Sequence, residues 1–264
     1  MRLFPFRRPP IVLLSYPRSG SSWIGRILGT SGDVAYLREP INQQLQRRGG
    51  SEAPVESVVD PRADVATSEW YTRVADRAFA GIVPRSVPDV VVDPSAFALR
   101  ERRRRRLLIK EVNPLAIALL MERYRPQIVL LLRHPAAVAD SYERLGWLGG
   151  AFEEFGRLYG THLAQALEVG SRGWLLPLRY EDVARDPGTE VPRLFTALDI
   201  RPPSNLPSVL REYCEDPAAE PSPYEIRRAS TVEADKWRRT MAPEHAAAVM
   251  RGYLASSLRY YREE

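Results

Sequence analysis

The chain has 264 residues, of which 44% are hydrophobic and 27% charged, with a formal net charge of +5. That length supports one substantial core, and that composition excludes a disordered or fibrous chain. No apolar run is long enough to span a bilayer, and the first ten residues carry too short a hydrophobic stretch for a signal peptide, so neither leader nor membrane anchor is expected. Only Lys110 and Lys236 are lysines, so arginine supplies nearly all of the 38 cations. Arginine forks suit phosphate and sulfate, although codon usage in a GC-rich genome explains them equally well. The lone Cys214 excludes an internal disulfide and fits a reducing, cytoplasmic compartment. No interleaving of basic and aromatic residues points to nucleic acid, so no such partner is expected.

The first element is Ile11 to Tyr16, an apolar and partly β-branched run stopped by Pro17, which reads as a short buried strand. Trp23, Ile24, Ile27 and Leu28 then recur at helical spacing. Between strand and helix lies the small-residue turn Pro17-Arg18-Ser19-Gly20-Ser21-Ser22, whose backbone N–H groups face the helix N-terminus and suit an anion. The lysine-bearing Walker loop is absent: here the cation precedes the glycine and two hydroxyls follow it. In this the chain resembles the sulfotransferases that use 3′-phosphoadenosine-5′-phosphosulfate (PAPS), whose donor loop has Lys or Arg, then Ser-Gly, then two small hydroxyl residues. The resemblance implies that Arg18, Ser19, Gly20, Ser21, Ser22 and Trp23 hold the 5′-phosphosulfate.

A turn at Thr30 to Asp33 leads to a second strand, Val34 to Leu37, and then Arg38-Glu39-Pro40. Pro40 biases Glu39 toward extended backbone, presenting a carboxylate where a strand leaves the sheet. The pattern D-V-x-Y-L-x-E-P is similar to carbohydrate sulfotransferases, and implies that Glu39 takes the acceptor proton. A structural Glu39 paired with an arginine is the alternative. Residues 42–106 are polar and proline-punctuated, with a helix expected from Ser68 to Phe79, and are read as an acceptor-binding lobe and lid. Trp70, Tyr71 and Phe79 suit core packing better than stacking on an acceptor. Arg102 to Arg106 are expected to form a solvated helix end that steers anions.

Leu107 to Lys110 reads as a strand and Asn113-Pro114 as a helix start. Cytosolic sulfotransferases carry a catalytic histidine two residues beyond a comparable lysine. Val112 stands there, which favours Glu39 as the base with Glu111 as the fallback. Gln127 to Leu132 has the pattern of a fully buried parallel strand. Arg133 ends it, and Ser141 follows eight residues later. That spacing resembles the site by which PAPS-dependent enzymes grip the 3′-phosphate, whereas His134 reads as structural. The helix that opens at Pro135 is expected to continue through Asp140 to Leu148, where Gly146, Gly149 and Gly150 break it; another follows from Ala151 to about Val169, then a strand from Trp174 to Leu178.

The segment L-R-Y-E-D-V-A-R-D-P that follows is also similar to sulfotransferases, and implies that Tyr180 lies near the adenine while Glu181 or Asp182 caps the next helix. Pro192 to Leu198 reads as a short helix, Arg201 to Pro223 as a surface connection, and Pro243 to Tyr260 as a final helix. Arg227 and Arg228 precede Trp237 as a basic stretch does in the family, although the glycine-bearing Arg-Lys-Gly motif is missing.

The whole chain, 1–264, is therefore expected to form one domain, an α/β P-loop-like three-layer sandwich with a central parallel sheet and helices on both faces. The implied activity is transfer of the PAPS sulfuryl group to a hydroxyl of a sugar or small molecule, with Glu39 as base and Arg18 stabilising charge on the leaving phosphate oxygen. Adenosine 3′,5′-bisphosphate (PAP) would be the product, and no metal is required. The alternatives are a nucleotide or small-molecule kinase on a similar fold, and a non-enzymatic nucleotide or nucleic-acid binding module.

Overall fold

The computed structural model describes residues 6–44, 58–82, 90–215 and 230–262. Five strands, β1 (Ile11–Ser15), β2 (Val34–Arg38), β3 (Arg106–Glu111), β4 (Gln127–Leu132) and β5 (Leu175–Arg179), form one sheet in the order β2-β3-β1-β4-β5. Every pairing is parallel. Parallel strands need covered faces, and this explains why β1 and β4 are almost wholly apolar rather than alternating. Their side chains divide by parity. Val12, Leu14, Ile109, Ile128 and Leu130 enter the core on one face; Ile11, Leu13, Leu108, Val129 and Leu131 enter the core on the other.

The first face is covered by α2 (Val65–Phe79), α3 (Ile117–Tyr124), α5 (Phe152–Gly170) and α11 (Pro243–Ala255). The second is covered by α1 (Ser21–Gly29), α6 (Tyr180–Arg185), α7 (Pro187–Ala197) and α8 (Leu206–Cys214). Two shorter helices, α9 (Ser230–Asp235) and α10 (Trp237–Thr240), follow α8, while α4 (Pro135–Glu143) leaves the end of β4. This is the expected three-layer α/β sandwich. From β1 the chain crosses to β2 on one side and later reaches β4 on the other, so the carboxyl end of β1 is a switch point where a crevice opens.

Several expectations are corrected. The arginine run is not one solvated helix end. Arg102 donates to the carbonyls of Phe97 (2.9 Å) and Ala80 (2.8 Å), and Arg106 is buried as the first residue of β3. The Arg106 guanidinium donates to Pro9 O (3.0 Å), Gln127 Oε1 (2.5 Å) and Leu198 O, tying three segments together. The connection expected from Arg201 contains α8, whose Val209 and Cys214 enter the core. The final helix stops at Ala255 instead of Tyr260, and the tail turns back on Tyr253, whose hydroxyl accepts the N–H groups of Tyr260 and Tyr261. Arg227, Arg228 and parts of the 42–106 lobe lie outside the described residues.

Candidate active site

The five strands are parallel, so their carboxyl ends lie along one edge of the sheet, and Glu39, Arg133 and Tyr180 directly follow three of those ends. After β1 the chain turns through Arg18 (φ 66°) and Gly20 (φ 89°), both left-handed. Alternating backbone of this kind points successive N–H groups into one concavity, and the first N–H groups of α1 have no intrahelical acceptor. Gly20 is required twice over, because a Cβ there would also lie 2.5 Å from the Tyr180 ring. Ser19 and Ser21 are buried, and Ser15 Oγ donates to Ser21 Oγ at 2.8 Å. Ser22 is half-buried at the N-terminus of α1. Trp23 turns away into the core, with its indole N–H donated to Tyr213 O at 3.0 Å and its backbone N–H to Gly20 O. Its part is to pack α1 against α8.

Arg133 and Ser141, one at the tip of β4 and the other on α4, are brought to this turn. Arg18 Nε donates to Ser141 Oγ at 3.0 Å, and Arg133 donates to Arg18 O at 3.1 Å and to Glu233 O at 3.0 Å. The Arg133 guanidinium lies 4.3 Å from the centre of the Tyr180 ring, which also meets Trp23 edge-on. Arg133 Nε is buried with no hydrogen-bond partner among the described residues. A buried cationic donor left unpaired beside an anion nest fits a phosphate ligand. Trp237 lies against this corner, its ring stacked on His134 at 4.4 Å. Burial, with Arg238 and Arg179 adding to it, pushes the His134 imidazole down to about 3 and keeps it neutral.

On the other side of β1, the ends of β2 and β3 present a carboxylate and an ammonium. Glu39 is left-handed (φ 50°) rather than extended, since its N–H is drawn to Lys110 O at 2.7 Å. Its carboxylate pairs with Lys110 and accepts from Asn42 Nδ2 at 2.7 Å, so the partner is a lysine instead of the arginine considered from the sequence. Burial pushes the Glu39 carboxyl up, but Lys110, Asn42 and Arg38 outweigh it and hold it below the usual carboxylate range. Glu111 is different. It is buried, it accepts from Ile41 N at 2.6 Å and from Asn42 N, and burial raises it to about 8. Both of its oxygens are engaged by backbone N–H groups that follow Glu39 in the chain.

Glu181 does not cap α6. It accepts instead from His134 N (2.8 Å) and Tyr261 Oη (2.8 Å), while Asp182 is exposed beside Arg179. Sequence reasoning missed Asn42, Tyr159 and Tyr261. Asn42 could have been found one helical turn after Glu39; nothing in the local pattern marks Tyr159 or Tyr261. Among the described residues no cluster has the composition of a metal site, and no helix is long and apolar enough to cross a membrane.

A parallel five-stranded sheet with a left-handed turn leading from its middle strand into a helix defines a P-loop-like α/β protein. The family model described as "Sulfotransferase family" matches residues 9–203, and the chain belongs to that family. Its fold is similar to the sulfotransferase domain from the Synechococcus PCC 7002 olefin synthase, at 18% identity and TM-score 0.55 over 97% of this chain and 99% of that one. It is also similar to the sulfotransferase domain from the curacin biosynthetic pathway, at 16% identity and TM-score 0.53 over 96% of this chain and 100% of that one. A sequence comparison with curated proteins finds no match.

Proposed function

We propose that the protein transfers a sulfuryl group from PAPS to a hydroxyl of a carbohydrate or small-molecule acceptor, releasing PAP. The observation that carries this reading is the joining of Arg18, Ser141 and Arg133 at the mouth of the β1 turn, with the buried Arg133 Nε left for an anion. In this reading Arg133 and Ser141 hold the 3′-phosphate, and the β1 turn with Ser21 and Ser22 holds the 5′ end. PAPS, when bound, supplies an activated sulfuryl group whose transfer needs an acceptor oxygen in line with the leaving phosphate oxygen.

The chain's own residues do the rest. Glu39, kept ionised by Lys110, receives the acceptor proton as the oxygen–sulfur bond forms. Arg18 exchanges its contact with Ser141 for the charge gathering on the phosphate oxygen that departs. In this reading the acceptor enters over the ends of β2 and β3.

Thermal-shift measurements with PAP, AMP and ATP test the reading. A ligand at about one hundred times its Kd stabilises by about 2.7 kcal/mol, so PAP should raise the melting temperature by several degrees where AMP at equal concentration barely does. Equal shifts from PAP and AMP would refute a 3′-phosphate site.

A further inference from the structure

Arg133 is the side chain on which the donor reading rests, and the peptide bond joining it to His134 is held at both ends. On one side the Tyr159 hydroxyl donates to Arg133 O at 2.6 Å and accepts from Arg133 N at 3.3 Å. On the other side His134 N–H is taken by Glu181 Oε1 at 2.8 Å. The second oxygen of Glu181 accepts from Tyr261 Oη, also at 2.8 Å. The side chains of Tyr159, Glu181 and Tyr261 are all buried, so water does not substitute for a lost partner.

Tyr261 comes from the chain's tail, beyond the residues 9–203 that the family model matches. It is kept there by Tyr253 on α11, by edge-on packing against His134 (5.1 Å), and by the Arg179 guanidinium 5.0 Å from its ring centre. An isolated buried carboxylate is costly, and its phenol partner keeps Glu181 in the position from which it fixes His134 N–H.

We propose that Tyr261, acting through Glu181, is a positioning residue that sets the aim of Arg133 and thereby the preference for a 3′-phosphorylated nucleotide. The inference rests on the donor reading above, and it gives the C-terminal tail a role in substrate selection. Removing the hydroxyl frees one edge of the Arg133 peptide; a ligand that does not use Arg133 is indifferent to the change.

The test is the ratio of PAP to AMP affinity, measured by isothermal titration on the full chain. In the wild type PAP is expected to bind far more tightly. Tyr261→Phe, which keeps the ring and its packing, is expected to weaken PAP about tenfold, the effect of one misdirected charge-assisted contact, and AMP by less than about twofold. Tyr159→Phe frees the opposite edge of the same peptide and should lower the ratio similarly; if Tyr261→Phe does not fold, that variant decides. An unchanged ratio overturns the inference, and so does an equal loss for both nucleotides, which marks general loosening. A wild type with no preference for PAP overturns the donor reading itself, and the inference with it.

Discussion

Replacing Gly20 by alanine tests the turn after β1 most directly, because two independent costs fall on one atom. The backbone there has φ 89°, and placing a side chain in that region costs about 1 kcal/mol. The new Cβ would also lie 2.5 Å from Cδ2 and Cε2 of Tyr180. That ring is buried between the turn, Trp23 and the Arg133 guanidinium, so relief comes only by displacing it or the turn, at about 1–3 kcal/mol for an overpacked core. The sum is about 2–4 kcal/mol, and at about 2–4 °C per kcal/mol for a domain of this size the melting temperature should fall by roughly 5–15 °C. Since Tyr180 carries Arg133, PAP affinity should fall about tenfold as well. Calorimetric melting and PAP titration read both quantities. A Gly20→Ala protein that melts within about 2 °C of wild type and binds PAP equally well would refute the packing of this turn.

Two further predictions concern the paired carboxylates. Glu39 is held below its usual range, so it contributes stability present above the unfolded value of about 4.5 and lost as pH falls through the lower folded value. Lys110→Met removes the largest influence opposing burial and leaves only Asn42 and Arg38 against it, so denaturant midpoints of the variant should drop relative to wild type as pH rises from about 4 to 8; a constant gap would refute the Glu39–Lys110 pairing. Glu111 is the opposite case. Its folded value is raised from 4.5 to about 8, so its contribution is full below 4.5 and is lost as pH rises through about 8. Glu111→Gln, which keeps an acceptor for Ile41 N, should flatten this decline, so that the variant gains on wild type between those pH values in urea melts. Parallel profiles would show that Glu111 is ionised in the fold.

The sheet was legible because strands buried on both faces are continuous apolar runs, and such runs need no knowledge of the rest of the chain. Ile11 to Ser15 and Gln127 to Leu132 are read directly from composition. The β1 turn was equally local, since its left-handed residues Arg18 and Gly20 and the N–H groups at the start of α1 all come from adjacent positions in the chain. The placement of Arg133 at a strand tip and of Ser141 on the following helix was local too, as strand and helix are joined by a two-residue link.

What failed were readings whose meaning depends on distant partners. Arg106 stands in a charged run, yet it is buried, because Pro9, Gln127 and Leu198 converge to accept its donors. Glu181 looks like a helix cap and instead serves His134 and Tyr261, and Glu39 is charged because β3 happens to lie beside β2 and bring Lys110 to it. Local pattern thus chose the elements and the turn after β1. The charge states and the aim of the side chains were chosen by tertiary contact, since a titrating or hydrogen-bonding group answers to whatever surrounds it within a few ångströms, however far apart in the chain those neighbours are.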